Sequence, residues 1–266
     1  ILIVWLGIDT MSGGAGDDSF VVDDEADVVI ELEGEGADIV DSFVSFTIPV
    51  NVEVLRLQGE ANIDATGSDA QDILQGNSGE NVLDGGAGID VMQGFGGNDT
   101  YIVDNSSDAV IEAAGGGFDN VFSSVDYVLD ATQEIESAIL TGTAVVLRGD
   151  DSNIQLIGND VTNVIEGRGG TDFLLGLGGD DIFQVSKEAN ATDLDVIGDF
   201  EGAGVIGGDR IAFDAAEWGL DGIVIQLSQT SFSVSRADGS NAQQFIISNL
   251  EAGNSGLLEG DDFFFG

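Results

Sequence analysis

The apolar residues of this chain return at a fixed interval of nine. From Gly67 onward an Asp or Asn recurs as Asp72, Asn81, Asp90, Asp99 and Asp108. Two places beyond each stands a large apolar or aromatic side chain: Leu74, Leu83, Met92, Tyr101 and Val110. Glycines precede most of these pairs, as in Gly85-Gly86-Ala87-Gly88-Ile89-Asp90-Val91-Met92-Gln93. The stretch Gly13-Gly14-Ala15-Gly16-Asp17-Asp18-Ser19-Phe20-Val21 repeats the pattern, flanked by Asp9 with Met11 and Asp27 with Val29. A strand sends alternate side chains to opposite faces, so the residue two places after each Asp points inward on a short strand. The glycine-rich residues before it suit a turn, because glycine accepts the positive φ that brings carbonyls close together. The pattern predicts three-residue strands joined by six-residue turns, two of each making one coil of about eighteen residues.

A second, longer period overlies the first. Asp9, Asp18, Asp27 and Asp38 recur 81 residues later as Asp90, Asp99, Asp108 and Asp119, and the segment from Gly76 to Tyr101 recurs, offset by 82, from Gly158 to Phe183. Because 81 is nine nines, the long repeat keeps the register of the short one. Such self-similarity signals a solenoid, in which each unit buries its apolar face on its neighbour. The expected fold is all-β: a parallel β-roll or β-helix solenoid over residues 1–183, built of about two 82-residue repeats (near 18–98 and 99–180) after a partial N-terminal coil. A C-terminal β-rich cap is expected over residues 184–266. There Ile223-Val224-Ile225-Gln226-Leu227 and Ser231-Phe232-Ser233-Val234 alternate as strands do, and Ala237-Asp238-Gly239-Ser240 supplies a turn into Gln244-Phe245-Ile246-Ile247.

Charge changes the picture. Fifty acidic residues face six basic ones, a formal net charge of -44 with no histidine. Self-repulsion on that scale opposes a compact state, so something cationic belongs to the folded structure. Disorder would be the simplest meaning of such acidity, but disordered acidic chains lack the recurring Val, Ile, Leu and Phe seen here. A halophilic surface would not place its acids in register. Nucleic acid is excluded as a partner, because no basic patch exists to neutralise phosphates. Without Cys or His there is no disulfide, no thiolate and no ordinary zinc, copper or haem site. No apolar run reaches the length of a membrane span.

Stacked coils set the Asp of one turn above the Asp eighteen residues on, pairing Asp9 with Asp27, Asp72 with Asp90, Asn81 with Asp99, Asp90 with Asp108, and Asn163 with Asp181. Carboxylates and backbone carbonyls that converge between turns offer only hard oxygen ligands. Calcium takes 6–8 of these in irregular geometry, whereas magnesium demands a near-ideal octahedron. A single Gly-Asp turn would be read as an Asp capping its own backbone; a dozen in register favour metal. The candidate ligands are Asp9, Asp18, Asp27, Asp38, Asp72, Asn81, Asp90, Asp99, Asp108, Asp119, Asn163, Asp172, Asp181, Asp195 and Asp199. The turn glycines Gly14, Gly16, Gly86, Gly88, Gly97 and Gly179 join them. The pairing implies roughly five to eight calcium ions.

The unit Gly-Gly-x-Gly-x-Asp-x-apolar-x resembles the nonapeptide of the RTX, or haemolysin-type, calcium-binding repeat family. Gly85–Ile102 looks like two full copies and Gly13–Val21 like another, while Gly76-Asn77-Ser78-Gly79-Glu80-Asn81 resembles an Asn-containing variant. There are departures. Ile154 replaces an expected Asp, and Arg168 replaces a second glycine, which places Asp172 below Asp90 as a site. Segments 42–66 and 123–148 lack the glycine code and are expected to be metal-free coils with turns at Gly59 and Gly142; Pro49 suits a turn there. The resemblance also implies that Asp195 and Asp199 hold a last ion and that the tail Asp261-Asp262-Phe263-Phe264-Phe265 is a type I secretion signal.

The expectation for function is a secreted, calcium-binding solenoid that is not an enzyme, since Ser-His-Asp and Cys-His machinery cannot be assembled. Two carboxylates could in principle hydrolyse a glycoside, but the register already accounts for most close acid pairs. The first reading is an extracellular structural or assembly protein, such as a surface layer, matrix filament or adhesin. Its coil ends would stack head to tail or on cell-surface and matrix components. The alternative is a non-catalytic C-terminal module of a larger secreted enzyme or toxin. That alternative draws on the start of the chain in mid-repeat, where Ile1-Leu2-Ile3 aligns with Val82-Leu83-Asp84.

Overall fold

The protein is described by a computed structural model covering residues 2–3, 7–130, 133–185, 194–200, 208–213, 223–226, 231–235, 243–247 and 263–265. Every regular element among these residues is a β-strand, and no described helix is long and apolar enough to cross a membrane. Internal contacts divide the chain into two compact units: Ile1–Phe122 with Thr132–Ile135, and Ser123–Ala131 with Glu136–Gly266.

In the first unit the strands are β1 (Leu2–Ile3), β2 (Thr10–Ser12), β3 (Ser19–Val22), β4 (Val28–Ile30), β5 (Ile39–Ser42), β6 (Phe46–Thr47), β7 (Val54–Leu57), β8 (Ala65–Thr66), β9 (Ile73–Gln75), β10 (Val82–Asp84), β11 (Val91–Gln93), β12 (Thr100–Val103), β13 (Ala109–Ile111) and β14 (Asn120–Ser123). One face is a parallel sheet in the order β1-β3-β5-β7-β9-β11-β13. Opposite it β6, β8, β10 and β12 pair in parallel, and β2 pairs with β4. Alternate strands therefore belong to opposite faces, the signature of a two-faced coil. Register is kept by the inward residues: Leu55, Leu74, Met92 and Val110 stand in one file, and Ala65, Leu83 and Tyr101 in another. All seven are buried. Each large side chain so buried contributes about 1.5–3 kcal/mol relative to an exposed one. The inward positions anticipated from the nine-residue period are those observed.

The second unit repeats the plan. Its strands are β15 (Tyr127–Val128), β16 (Ser137–Leu140), β17 (Val146–Arg148), β18 (Gln155–Ile157), β19 (Val164–Glu166), β20 (Phe173–Leu175), β21 (Ile182–Val185), β22 (Leu194–Ile197), β23 (Arg210–Phe213), β24 (Ile223–Gln226), β25 (Ser231–Ser235), β26 (Gln243–Ile247) and β27 (Phe263–Phe265). One sheet runs β15-β17-β19-β21-β23-β27, and the other joins β16, β18, β20, β22 and β26. The parallel ladder thus runs past residue 183, where the glycine code fades. Phe183 pairs with Ile211, Leu174 with Ile197, and Phe183 also meets Phe200 at a ring-centroid distance of 6.1 Å. Among the described strands only β24-β25-β26 is antiparallel, at the positions where alternation predicted strands. Of the acidic-apolar tail, Phe263–Phe265 forms β27, and Asp261 and Asp262 lie outside the described residues.

At the glycine turns the strands stop after two to four residues because the turn needs left-handed backbone. The second position of the turn has φ of 76° at Gly14 and 75° at Gly86, and the fourth has 118° at Gly16 and 147° at Gly88. Phe95 (73°), Arg168 (68°) and Leu177 (67°) occupy that second position with a side chain attached. Left-handed backbone costs such residues about 1–2 kcal/mol each. Arg168 therefore keeps the turn that glycine makes elsewhere. The glycine-poor coils turn at Gly59 (φ 81°) and Gly142 (φ 60°), as anticipated.

Candidate metal centres

Each turn presents its Asp to the rung before it. The backbone N–H of Asp9 donates to Oδ1 of Asp27 (2.9 Å), Asp72 to Asp90 (2.8 Å), Asn81 to Asp99 (2.7 Å), Asp90 to Asp108 (3.0 Å) and Asn163 to Asp181 (2.8 Å). The same bond spans longer coils from Asp18 to Asp38, Asp99 to Asp119, Asp172 to Asp195 and Asp181 to Asp209. Ile154, which brings no carboxylate of its own, still donates its N–H to Asp172. One carboxylate oxygen thus serves as a rung-to-rung bond.

The other oxygen is left over. Oδ2 of Asp9, Asp38, Asp90, Asp99, Asp172 and Asp181 is buried without a hydrogen-bond partner. So is Oδ1 of Asp72, whose Oδ2 is held by the Ser68 N–H and hydroxyl. A buried carboxylate oxygen with nothing to meet it is costly. Its surroundings are shaped to admit something small. A Cβ on Gly85 would sit 2.7 Å from Oδ2 of Asp90, and one on Gly94, Gly167 or Gly176 would collide with Oδ2 of Asp99, Asp172 or Asp181. The first glycine of the nonapeptide is therefore needed to keep that oxygen's space open. A Cβ on Gly86 or Gly88 would strike the carbonyls of Ser68 or Ala70 in the preceding turn. Carboxylate and carbonyl oxygens from successive turns so face one gap, the donor set a calcium ion requires.

Burial dominates the electrostatics. It pushes Asp90 and Asp119 up to about 6, Asp99 and Asp181 to about 7, and Asp172 to about 8, with neighbouring carboxylates adding to the rise. The N–H of the previous rung works against it in each case. Either protons or a cation would relieve such a set, and the hard-oxygen donors suit calcium.

Not every candidate has an oxygen to spare. Asp27 accepts from the N–H groups of Asp23 and Asp24 as well as Asp9, and Asp108 from Asn105 as well as Asp90. Asp199 accepts from Gly176 and Leu177. These three carboxylates bond backbone N–H through both oxygens, the capped-turn arrangement. At Asn81 and Asn163 the side-chain amide points at the coil below: Asn81 Nδ2 donates to Ile63 O (2.6 Å), and Asn163 Nδ2 to Ala144 O (3.1 Å). Asn77 and Asn159 complete the clasp, donating to Ala61 O (3.0 Å) and Ala144 O (2.9 Å). An amide N–H here stands where a cation would otherwise meet the carbonyls.

The sequence pattern overlooked five partners. Asn77 and Asn159 are two of them, signalled only by their 82-residue offset. Glu31 and Glu112 are two more: Asp18, Glu31 and Asp38, and likewise Asp99, Glu112 and Asp119, bring one ligand atom each within 4.8 Å of one another. The last is the Tyr101 hydroxyl, hydrogen-bonded to Glu112, with burial raising the phenol far above its ordinary range.

Comparison with known proteins agrees with this geometry. Residues 6–30, 66–101, 75–109 and 157–184 match the RTX calcium-binding nonapeptide repeat in four copies. The fold, the glycine-gated carboxylates and these matches make the chain a β-solenoid that carries RTX calcium-binding repeats. It is also similar to an endo-1,3-1,4-beta-glycanase of Rhizobium meliloti (strain 1021), 36% identical over 67 residues. That alignment covers 25% of this chain and 14% of the glycanase.

Proposed function

We propose that this chain folds on calcium outside the cell and serves there as a non-catalytic structural element, in a surface layer, a matrix filament or an adhesin. The observation that carries the calcium part is the set of buried, unpartnered oxygens of Asp90, Asp99, Asp172 and Asp181, whose carboxylates each accept one N–H and whose space a glycine keeps open. Where calcium is scarce, those charges oppose folding; at the millimolar calcium of extracellular fluid, binding free energy becomes folding free energy. The structural role is supported by the tandem repetition of one site plan and by a composition without His or Cys. Electron microscopy and sizing of the purified chain test it: calcium-dependent head-to-tail polymers are expected, and dispersed monomers at millimolar calcium contradict it.

The similarity to the glycanase favours a second reading, in which the solenoid is the calcium-folded module of a larger secreted enzyme. Monomers that remain folded and inert towards 1,3-1,4-β-linked glycans in calcium, joined to a catalytic domain in the intact protein, would be the outcome for that reading.

A further inference from the structure

The nine-residue rhythm breaks at several coils, and two of the breaks carry the same unusual group. Between Asp18 and Asp38, and between Asp99 and Asp119, the coil takes 20 residues where its neighbours take 18. In each, a glutamate stands at the break: Glu31 in the first, Glu112 in the second. Both lie beyond the matched nonapeptides, which end at residues 30 and 109.

Five of the six carboxylates are held by a backbone donor, Asp99 by the Asn81 N–H. Gly13 N–H bonds Oε1 of Glu31 (2.8 Å), Ala113 N–H bonds Oε2 of Glu112 (3.0 Å), Asp18 N–H bonds Asp38, and Asp99 N–H bonds Asp119. One ligand oxygen from each residue of a trio lies within 4.8 Å of the others. Oε2 of Glu31, Oδ2 of Asp38 and Oδ2 of Asp99 are buried with no hydrogen-bond partner, on residues only 6%, 1% and 0% exposed. Gly13 and Gly94, 81 residues apart, line the two cages: a Cβ on Gly13 would collide with Glu31 and Asp18, and one on Gly94 with Asp99, Glu112 and the Tyr101 hydroxyl. Glycine is thus required for the same reason twice.

We infer that Asp18-Glu31-Asp38 and Asp99-Glu112-Asp119 are a second class of calcium site, three-carboxylate cages that fill at lower calcium than the nonapeptide turns. A turn site offers carboxylate charge diluted by neutral carbonyls; a cage offers three carboxylates, most of them already held by backbone N–H groups, and calcium affinity rises with ligand charge and site rigidity. The two cages differ in the ring beside them. The second has the Tyr101 hydroxyl where the first has Phe20, both rings fully buried. The inference shares its ion with the function proposed above but does not depend on where the chain works or what it builds.

Tyr101 supplies the test, because a phenol beside a bound terbium ion, a hard cation close to calcium in size, sensitises its emission. Terbium is titrated into the calcium-free full-length chain. Tyrosine-sensitised emission is expected to appear first and to fall by most of its amplitude in Tyr101→Phe. Its midpoint should shift at least tenfold in Glu112→Gln and stay unchanged in Glu31→Gln. Circular dichroism at saturating calcium checks that each variant folds. Should Glu112→Gln not fold, calcium counting by equilibrium dialysis on Glu31→Gln decides: one tightly held ion fewer supports the cages, and an unchanged count overturns them. Wild-type midpoints in a folded Glu112→Gln also overturn them. That result with calcium-dependent folding intact would leave the proposed function standing, whereas tyrosine-dependent terbium binding to a chain that folds without calcium would overturn only the latter.

Discussion

The glycine-coded rungs and the glycine-poor rungs build the same coil by opposite electrostatics. In the former, buried carboxylates keep an oxygen unmet. In the segments around 42–66 and 123–148 the chain supplies its own partners. Arg56 bonds both oxygens of Asp41 (2.8 and 3.0 Å) while Gln58 adds a third contact (2.9 Å), and Arg148 meets Glu166 at 2.9 Å. Oδ1 of Asp126 accepts the N–H groups of Val145 and Val146. Ser42 and Ser123, both buried, fold back on the carbonyls of Val44 and Val125. The Asn77–Asn81 and Asn159–Asn163 clasps stand above these coils, amide nitrogens on their carbonyls. The lesson is that apolar files alone set the coil, and that cations are demanded only where the turns leave charge uncompensated.

Converting one kind of rung into the other should give the largest effect. Asn81→Asp replaces an amide that meets Ile63 O with a second negative oxygen. In chelator it should cost about 3–5 kcal/mol, as an uncompensated buried charge does, and most of this should return at saturating calcium. Urea unfolding with and without calcium measures both arms.

Acid should do part of what calcium does. The folded-state values of Asp90, Asp99, Asp172 and Asp181, from about 6 to about 8, lie above the ordinary 3.8. A raised carboxyl binds its proton more tightly in the folded state. Its contribution to the calcium-free fold is therefore fully present below the ordinary value and is lost as pH rises through 6–8. The chain in chelator is expected to gain β signal on going from pH 8 to pH 5, and calcium affinity to fall over the same descent as protons compete. A calcium-free signal that is flat or rises with pH would contradict this.

Breaking the arginine rung is a smaller matter. Arg56 and Asp41 are partly exposed, so Arg56→Met should cost about 1 kcal/mol or less, by the same amount with and without calcium. Relieving a strained turn is smaller still: Leu177→Gly removes a side chain from left-handed backbone and should gain up to about 1 kcal/mol in melting experiments on the calcium-loaded form.

Much of this contrast was legible in the residues. Leu74, Leu83 and Met92 announced the core, and the eighteen-residue partners Asp72–Asp90 and Asn163–Asp181 announced the stacking, because both follow from one period. Less visible was which Asp keeps a free oxygen. Asp27 and Asp108 share the letter of Asp90, but Val22-Asp23-Asp24-Glu25-Ala26 and Val103-Asp104-Asn105-Ser106-Ser107 put no glycine before them, and their turns donate N–H groups to the second oxygen. Glu31 and Glu112 fell outside the nonapeptide altogether, so only the 81-residue offset could have found them. Nor did anything in the glycine code show that β22 and β23 extend the parallel ladder, since there the pairing rests on apolar residues such as Ile197 and Ile211 alone.

Far-ultraviolet circular dichroism of the whole chain at neutral pH, before and after exhaustive chelation, tests the central claim most directly. Collapse of the β signal on chelation and its recovery on adding millimolar calcium are predicted. A full β signal that persists without calcium would show that the coil holds its buried carboxylates unaided, and would contradict the account.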